Sequence, residues 1–311
     1  MNIIGHKYIF LAISGILILG SFLALAFWGL KPAIDFTGGS LLEVEFSGNR
    51  PSIESVKSKL EPFDLGNIII QPVEKKGMIL RFKHIDEALY QLIITALGEQ
   101  EASGKQPESG IRNPETVITK RFDSIGPTIG RELSRRALAA LVLASVGIIL
   151  YLAWAFRNVS KPVSSWKYGV IAVVVAFLHD VLIPVGIFAA LGNFRNVEVD
   201  ALFITALLTI LGFSVHDTIV VFDRIRENLR ILKGSEPFAM TVEKSVKSTL
   251  VRSVNTSLTV LFVILAIFFS GGETVHYFSL ALALGVVFGT YSSIFIASPL
   301  LVIWNDWTKS K

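Results

Sequence analysis

The sequence contains no cysteine among its 311 residues. This absence excludes disulfide bonds, thiol catalysis and cysteine-ligated metals, and it is compatible with either redox compartment. Charge is also scarce, since 17% of the residues are charged and the formal net charge is +4. The basic residues are spread over loops without an aromatic and basic stacking surface, so we expect no nucleic-acid partner.

Apolar residues are abundant, at 52% of the chain, and the mean hydropathy is +0.59. A membrane-spanning helix needs about 20 mostly apolar residues. We predict six spans, at about 9–29, 137–156, 168–191, 199–222, 250–270 and 276–304. The first has no A-x-A-like cleavage site, so we interpret it as an uncleaved signal anchor. The sequence therefore predicts a polytopic α-helical membrane protein with six transmembrane helices.

Lysine and arginine are distributed unequally between the short loops, and this inequality predicts the orientation. The segments that follow the second and fourth spans are basic, with Arg157, Lys161, Lys167, Arg224, Arg226, Arg230, Lys233, Lys244 and Lys247. The alternate loops, 192–198 and 271–275, contain only Arg195. Both termini are therefore expected in the cytoplasm, where Lys309 and Lys311 agree. The large segment between the first two spans must then lie outside.

Residues 31–136 hold more than half of the acidic and more than half of the basic residues. We predict an extracytoplasmic domain there, between residues 1–30 with the first span and residues 137–311 with the other five. Period-two alternation predicts strands at 41–46 and 115–122, and helical periodicity predicts helices at 51–60 and 85–98. Two β-rich runs, 67–73 and 78–83, are separated by a turn at 75–77 and predict a hairpin. Pro51 suits a first helical turn, and 101–113 is predicted to be a polar loop. The order βαββαβ is that of an α+β, ferredoxin-like domain.

That domain shows no catalytic set. His84 is its only histidine, and no Ser/His/Asp, metal-ligand or phosphate-loop spacing is present. We therefore predict that the chain is not an enzyme and uses neither a cofactor nor a metal.

Glycine-containing turns mark both ends of the domain. After the first span, Asp35 can hydrogen-bond the backbone two residues on, and Gly38 and Gly39 allow positive φ. This motif predicts a tight turn into the first strand. At the exit, Gly126 and Pro127 precede a charged helix start that re-aims the chain into the second span.

Asp217, inside the apolar fourth span, is the strongest functional signal in the sequence. A carboxylate near the bilayer centre costs at least about 2.5–3.5 kcal/mol, so such residues usually mark an ion or proton path. Asp217 stands six residues before Asp223, or about 9 Å inside the cytoplasmic end of the span. Asp223 and Arg224 begin a charged segment that we interpret as the solvated cytoplasmic flank.

Arg252 enters the apolar region at the cytoplasmic start of the fifth span. Because the fourth and fifth spans are antiparallel, we expect Arg252 and Asp217 at similar depth, each within about two turns of the same membrane face. We therefore predict an ion pair between them. Either the pair only neutralises two charges, or protonation of Asp217 frees Arg252 and changes which helix arrangement is favoured.

His179 and Asp180 form a second polar feature, midway through the third span. Pro184, one turn further on, is expected to kink that helix. The pair either fixes helix packing through a polar bond or is a station in a proton relay.

The sixth span carries a series of small residues, Gly285, Gly289, Ser292 and Ser293. Small residues at such spacing let two helices approach closely. We therefore predict helix packing as their role.

Four motifs together resemble the SecF family, whose members are subunits of the SecDF protein-export complex in the resistance-nodulation-division superfamily. The motifs are Ile34-Asp35-Phe36-Thr37-Gly38-Gly39-Ser40, Gly126-Pro127-Thr128-Ile129-Gly130, His179-Asp180-Val181 and the run from Asp217 to Asn228. The resemblance covers nearly the whole chain, and the last motif is highly specific. Family members use an intramembrane aspartate and arginine at the positions of Asp217 and Arg252. They often carry asparagine where this chain has His216, which either joins the relay or only hydrogen-bonds Asp217.

The resemblance implies a prokaryotic cytoplasmic-membrane subunit that uses the proton motive force to promote late translocation and release of an unfolded preprotein. The implied partners are SecD, the SecYEG channel, SecA, a YajC-type accessory subunit, the preprotein and membrane lipid. The implied proton-coupling residues are Asp217, Arg252, His216, Asp180 and His179, with sodium in place of protons left open.

Two other hypotheses remain. The chain could be a half-transporter of the same superfamily that exports a small hydrophobic ligand, or a scaffold whose charges serve assembly only. An apolar cleft in the domain would favour the half-transporter, whereas a polar, edge-exposed sheet would favour a polypeptide partner.

Overall fold

The computed structural model describes residues 2–98, 117–157, 164–232 and 235–309. The predicted polar loop at 101–113, the first residues of the strand predicted from 115, and Lys161, Lys233 and Lys311 lie outside these ranges. Internal contacts divide the chain into two units. The membrane unit comprises residues 1–31 and 137–311, and the α+β unit comprises residues 32–136.

Six helices in the described ranges are long and apolar enough to cross a membrane, as predicted. Spans 1, 2, 4 and 5 are continuous α-helices at Lys7–Trp28, Pro127–Ala155, Ala201–Leu232 and Phe238–Ser270. Span 3 consists of Ser165–Val175, Ala176–Val181 and Leu182–Arg195. Span 6 consists of Glu273–Ser292, Ser293–Ala297 and Ser298–Lys309.

Spans 2, 4 and 5 are longer than hydropathy predicts. Their additional turns contain charged residues, which a search for apolar segments leaves out. Span 2 begins ahead of residue 137, span 4 continues beyond 222, and span 5 begins ahead of 250. Ion pairs one turn apart support these extensions. Arg224 Nη1 lies 2.6 Å from Glu227 Oε2, and Lys247 Nζ lies 3.0 Å from Glu243 Oε1. The charged segment after span 4 is therefore largely a helical hairpin.

Spans 3 and 6 each contain a π-helical segment, Ala176–Val181 and Ser293–Ala297. A proline follows each segment within three residues, at Pro184 and Pro299. Proline offers no N–H to the carbonyl four residues before it, and its ring clashes with that carbonyl, so the helix widens or bends there. The disturbance predicted at Pro184 thus takes the form of a π segment, and that segment contains Asp180.

The α+β unit contains a four-stranded sheet of β1 (Gly39–Phe46), β2 (Ile69–Val73), β3 (Gly77–Phe82) and β4 (Val117–Ile125). The strand order is β2-β3-β1-β4, and each neighbouring pair is antiparallel. Helices Ile53–Leu60 and Glu87–Gly98 cover the sheet. The shared core includes Leu42, Val44, Val56, Leu60, Met78, Leu80, Ile93 and Leu97.

The elements of this unit follow the predicted order, with one correction at the first of its two longer helices. Pro51 precedes the helix and does not open it. Ser52 is the N-cap, and its Oγ accepts a hydrogen bond of 3.2 Å from Ser55 N. A serine cap satisfies a free N–H of the first turn, which proline cannot do with its ring.

The two glycine-containing turns at the ends of the α+β unit contact each other. Gly38 has φ 72° and ψ 168°, and Gly39 has φ 124°, conformations that favour glycine. A Cβ atom on Gly38 would lie 2.8 Å from Pro127 Cα, and one on Gly130 would lie 2.9 Å from Gly38 N. The tight turn predicted here is present, preceded by a short helix, Ile34–Thr37.

We expect Gly38→Ala to destabilise this contact by about 1–3 kcal/mol, because alanine disfavours the backbone conformation and its Cβ would clash with Pro127. Amide hydrogen exchange of β1 and β4 in the full chain should accelerate about fivefold or more. Gly126→Ala is the matched control, since a Cβ there would meet no atom within 4 Å. Equal exchange in the two variants would contradict the packing argument.

Candidate functional site

Asp217 is buried on span 4, with 6% of the residue exposed. Its Oδ2 accepts a hydrogen bond of 2.5 Å from Ser293 Oγ on span 6. The next residue, Thr218, is also buried, and its Oγ1 has no partner among the residues that the structure describes. A neutral hydroxyl therefore holds this intramembrane carboxylate.

Asp180 is fully buried in the π segment of span 3. Its Oδ1 lies 2.7 Å from His179 Nδ1. Ser292 Oγ donates to its Oδ2 at 2.7 Å, and Ser214 Oγ donates to the same oxygen. The His179 ring stacks on Tyr291, with centroids 5.7 Å apart, and its Nε2 lacks a partner in the described ranges. The imidazole and the carboxylate can share a proton at this contact.

Ser292 and Ser293 join the two carboxylates into one cluster. They are consecutive residues at the point where the first α-helical segment of span 6 gives way to the π segment. Ser292 bonds Asp180 on span 3, and Ser293 bonds Asp217 on span 4. Three spans therefore meet at this pair of hydroxyls.

Glycines on span 6 allow that meeting. A Cβ atom on Gly285 would lie 2.1 Å from Ile210 Cγ1, and one on Gly289 would lie 3.2 Å from Ser214 Cβ. The predicted close approach of this helix is confirmed at both glycines.

The predicted ion pair between Asp217 and Arg252 is not formed. Arg252 is exposed on span 5, and no ion pair or hydrogen bond joins it to Asp217 within the described residues. His216 is exposed as well. The prediction was wrong because sequence separation sets depth but not direction: Asp217 faces span 6, whereas Arg252 faces outward.

The predicted depth of Arg252 agrees with the register of spans 4 and 5. Asn228 Nδ2 donates a hydrogen bond of 2.8 Å to Ser245 Oγ across the helical hairpin. Val221 precedes Asn228 by as many residues as Arg252 follows Ser245, so Val221 and Arg252 lie at the same level of the two antiparallel helices. Val221 is about one helical turn from Asp217.

Asp223 and Arg224 lie in a network at the end of the apolar part of span 4. Arg226 Nη2 lies 3.2 Å from Asp223 Oδ1, and Arg226 Nη1 donates to Ala155 O of span 2 at 3.3 Å. Arg224 pairs with Glu227 and donates to Ser248 Oγ of span 5. These contacts tie three spans together and favour a structural role for the motif.

A polar cluster in the α+β unit is structural. Ser124 Oγ lies 2.7 Å from Ser40 Oγ and 2.8 Å from His84 Nδ1. The two serines also bond the backbone N–H and carbonyl of Ile85. Within the described ranges, no group of three or more His, Cys, Asp or Glu residues is arranged to hold a metal ion.

Residues 109–307 match the family model described as "Protein export membrane protein SecD/SecF, C-terminal", and residues 24–49 match "SecD/SecF GG Motif". "Protein translocase subunit SecF" from Thermobaculum terrenum is 43% identical over 98% of this chain and 94% of its own length. The chain belongs to the SecF family. The SecF protein of Anaerolinea thermophila is 40% identical over 98% of this chain and 94% of its own length.

A solved structure related to the SecF family gives the same result for the fold. The crystal structure of SecDF from Thermus thermophilus matches with a TM-score of 0.78 and 32% identity, over 98% of this chain. This chain spans 39% of that SecDF chain. The SecDF chain thus contains a SecF-like part and a larger remainder.

The SecF-family matches assign no role to individual residues, so those roles are inferred from the geometry of the site. The structure brings together three of the five residues predicted for proton coupling, Asp217, Asp180 and His179, and leaves Arg252 and His216 outside the cluster.

Sequence reasoning missed three hydroxyl donors of this cluster, Ser214, Ser292 and Ser293. Ser214 lies three residues before Asp217, hence on a similar helix face, and this spacing was a usable signal. The two serines of span 6 were assigned to packing alone, although adjacent hydroxyls in an apolar span also need hydrogen-bond partners.

Gly285→Ala should separate spans 4 and 6, because its Cβ would overlap Ile210. Overpacking of this kind costs about 1–3 kcal/mol. We expect the full chain in detergent to lose its monodisperse state at a temperature several degrees lower. Gly212→Ala on span 4, where a Cβ meets nothing within 4 Å, is the control. Unchanged stability of Gly285→Ala would refute the close approach.

Proposed function

We propose that this SecF-family chain works with SecD to convert the proton motive force into late preprotein translocation and release across the cytoplasmic membrane. In this role it is a transport component without enzymatic activity or a cofactor. The observation that carries the proposal is the pair of buried carboxylates inside apolar spans. Asp217 is held by one hydroxyl, and Asp180 is held by two hydroxyls and the His179 imidazole.

We infer a proton-binding role from the surroundings of the two carboxylates. Ionised carboxylates in a low-dielectric interior are costly unless paired, and they neutralise by taking up a proton. Among the described residues, neither lysine nor arginine contacts Asp217 or Asp180. A proton that crosses a potential of 100 mV releases about 2.3 kcal/mol, which can shift a two-state helix arrangement substantially.

Outward-facing charge supports SecD as a membrane partner. Arg252 and His216 are exposed on spans 5 and 4, and ionisable side chains within spanning helices usually face a partner or a wet cavity and not lipid. This chain also covers little of spans 2 and 5, with 6% and 17% of their apolar windows buried. We assign the surface around Arg252 to SecD, with an acidic SecD residue as the counter-charge.

The orientation and the other partners belong to the same proposal. The basic flank from Arg224 to Lys247 supports cytoplasmic termini and an extracytoplasmic α+β unit. The strand order of that unit supports its assignment as ferredoxin-like. SecYEG, SecA, a YajC-type subunit and the preprotein are partners by family resemblance.

The half-transporter alternative receives less support. The α+β unit has a cleft of about 550 Å³ beside the helix Ile53–Leu60. Charged residues contribute to its lining, including Glu54, Lys57, Glu61 and Asp64. A site for a small hydrophobic ligand is predominantly apolar. The edge strands β2 and β4 instead offer backbone groups that a polypeptide could pair with.

The chemistry of the cluster favours protons over sodium. Serine and carboxylate oxygens suit both ions, but the imidazole of His179 beside Asp180 adds a ring nitrogen that can carry a proton.

Asp217→Asn, present at the normal level and assembled with SecD, should abolish the stimulation of preprotein translocation by a proton gradient and lower proton conductance. Asparagine keeps the shape of the side chain but cannot be ionised. Translocation into membrane vesicles with an imposed pH gradient, with and without sodium, measures the effect and identifies the ion.

Asp223→Asn is the matched control, because Asp223 is an exposed carboxylate on the same helix. It should retain most of the stimulation. Exchange of charges in Asp217→Arg with Arg252→Asp should not restore activity, since the two side chains do not pair. Full stimulation of translocation by the proton gradient in Asp217→Asn would contradict the proposal. Recovery of activity in the charge-exchanged double variant would favour the hypothesis that the charges serve assembly only.

A photo-crosslinking amino acid in place of Val251, which is 64% exposed beside Arg252, should give an adduct with SecD in intact membranes. The same amino acid in place of Ser253, which is 1% exposed, should give none. Immunoblotting for SecD measures the adduct. Lipid adducts alone at position 251 would contradict the assigned interface.

A further inference from the structure

Ser293 has one hydroxyl hydrogen and two acceptors within reach. Its Oγ lies 2.5 Å from Asp217 Oδ2 and 3.0 Å from Thr290 O, the carbonyl one turn earlier in span 6. A hydroxyl carries a single donor and two acceptor lone pairs. The hydrogen can therefore favour the carboxylate or the carbonyl, and the oxygen stays free to accept a bond.

The charge of Asp217 decides between these two arrangements. An ionised carboxylate only accepts hydrogen bonds and so draws the hydroxyl hydrogen of Ser293. A protonated Asp217 has its own O–H to donate, and Ser293 Oγ can accept it while its hydrogen turns to Thr290 O. One added proton on Asp217 thus exchanges a bond between two spans for a bond within span 6.

Ser293 is the one side chain that bonds the Asp217 carboxylate in the described part of the chain. Asp180 differs, because His179, Ser214 and Ser292 all contact its two oxygens. Loss of one donor leaves Asp180 with others, whereas loss of the Ser293 hydroxyl removes the side-chain hydrogen bond that joins Asp217 to span 6.

Other titratable groups nearby are already accounted for. His179 and Asp180 on span 3 bond each other, and His216 and Arg252 face outward. The charge state of Asp217 is therefore sensed within the protein mainly through the hydroxyl that touches it.

Ser293 is also the first residue of the π segment Ser293–Ala297. Ser293, Ile294, Ile296 and Ala297 are buried there. A π segment is rare inside an α-helix and is often found at functional sites. A change in the hydrogen bond of Ser293 therefore acts directly on the start of this segment.

We propose that Ser293 is the positioning residue through which the π segment of span 6 responds to the charge of Asp217. This inference rests on the proposed function, since it assumes that Asp217 gains and loses a proton during the cycle. The preceding residue, Ser292, bonds Asp180 and not Asp217.

Hydrogen exchange measured by mass spectrometry on the complex of the full chain with SecD in lipid nanodiscs tests this role. Asp217→Asn supplies the uncharged state. We expect it to change exchange in peptides that cover Ser293–Ala297 by about threefold or more, and Ser293→Ala to remove that response. Ser293→Thr, which retains the hydroxyl, should restore it.

Ser279→Ala is the matched control. Ser279 is a buried serine of the same span, and its hydroxyl bonds the carbonyls of Val275 and His276 within the helix. This variant should keep the full response to Asp217→Asn. An equal response with and without the Ser293 hydroxyl, or no response in any background, would overturn the inference.

Translocation assays on the same variants separate the two levels of the argument. If Asp217→Asn loses proton-driven translocation but the exchange response does not depend on Ser293, only the role of Ser293 fails. If Asp217→Asn translocates normally, the proposed function fails whatever the exchange shows.

Discussion

The contact of span 6 with span 4 is the constraint on which the membrane unit depends. Side chains at positions 285 and 289 would push the two helices apart, and the hydroxyls one to two turns further along could then not reach their carboxylates. Without those bonds, Asp180 and Asp217 would be buried charges with fewer donors, which is among the most costly arrangements in a membrane. The same helix, span 6, therefore provides both the close packing against span 4 and the hydroxyls that bond the two carboxylates.

The two carboxylates are held to different degrees, although they lie in one cluster. Asp180 has an imidazole and two hydroxyls around it, whereas Asp217 has one hydroxyl. A highly coordinated group is restrained in every state, and a group with one partner transmits its changes to that partner. In the proposed coupling, a change of charge on Asp217 therefore acts on span 6 through one hydrogen bond.

Much of the architecture could be predicted from local patterns. Hydropathy located all six spans, period-two alternation located β1 and β4, and the need for positive φ located the turn at Gly38 and Gly39. The charged helix extensions were not predicted, because hydropathy identifies only apolar helices and these turns are stabilised by ion pairs. These failures concern boundaries, not the existence of the elements.

The site was harder to predict for a geometric reason. Antiparallel neighbours give a residue its depth, which was right for Arg252, but the face that it presents depends on how the helices are rotated. That rotation is set by close contacts such as Gly285 on Ile210, and sequence spacing does not contain it. The π segments add a further difficulty, since they break the 3.6-residue period from which helix faces are inferred.

Those π segments also determine how tightly chain length is constrained. Each holds roughly one residue more than an α-helical turn, so the half-helix beyond it is rotated by about 100° relative to an uninterrupted helix. Spans 3 and 6 carry their segments at the same level, where Asp180 meets Ser292. Deleting a single residue in either segment would leave the hydropathy of the span intact yet turn a different face toward its neighbours. Chain length at these two places is thus as much a part of the site as the identity of its side chains.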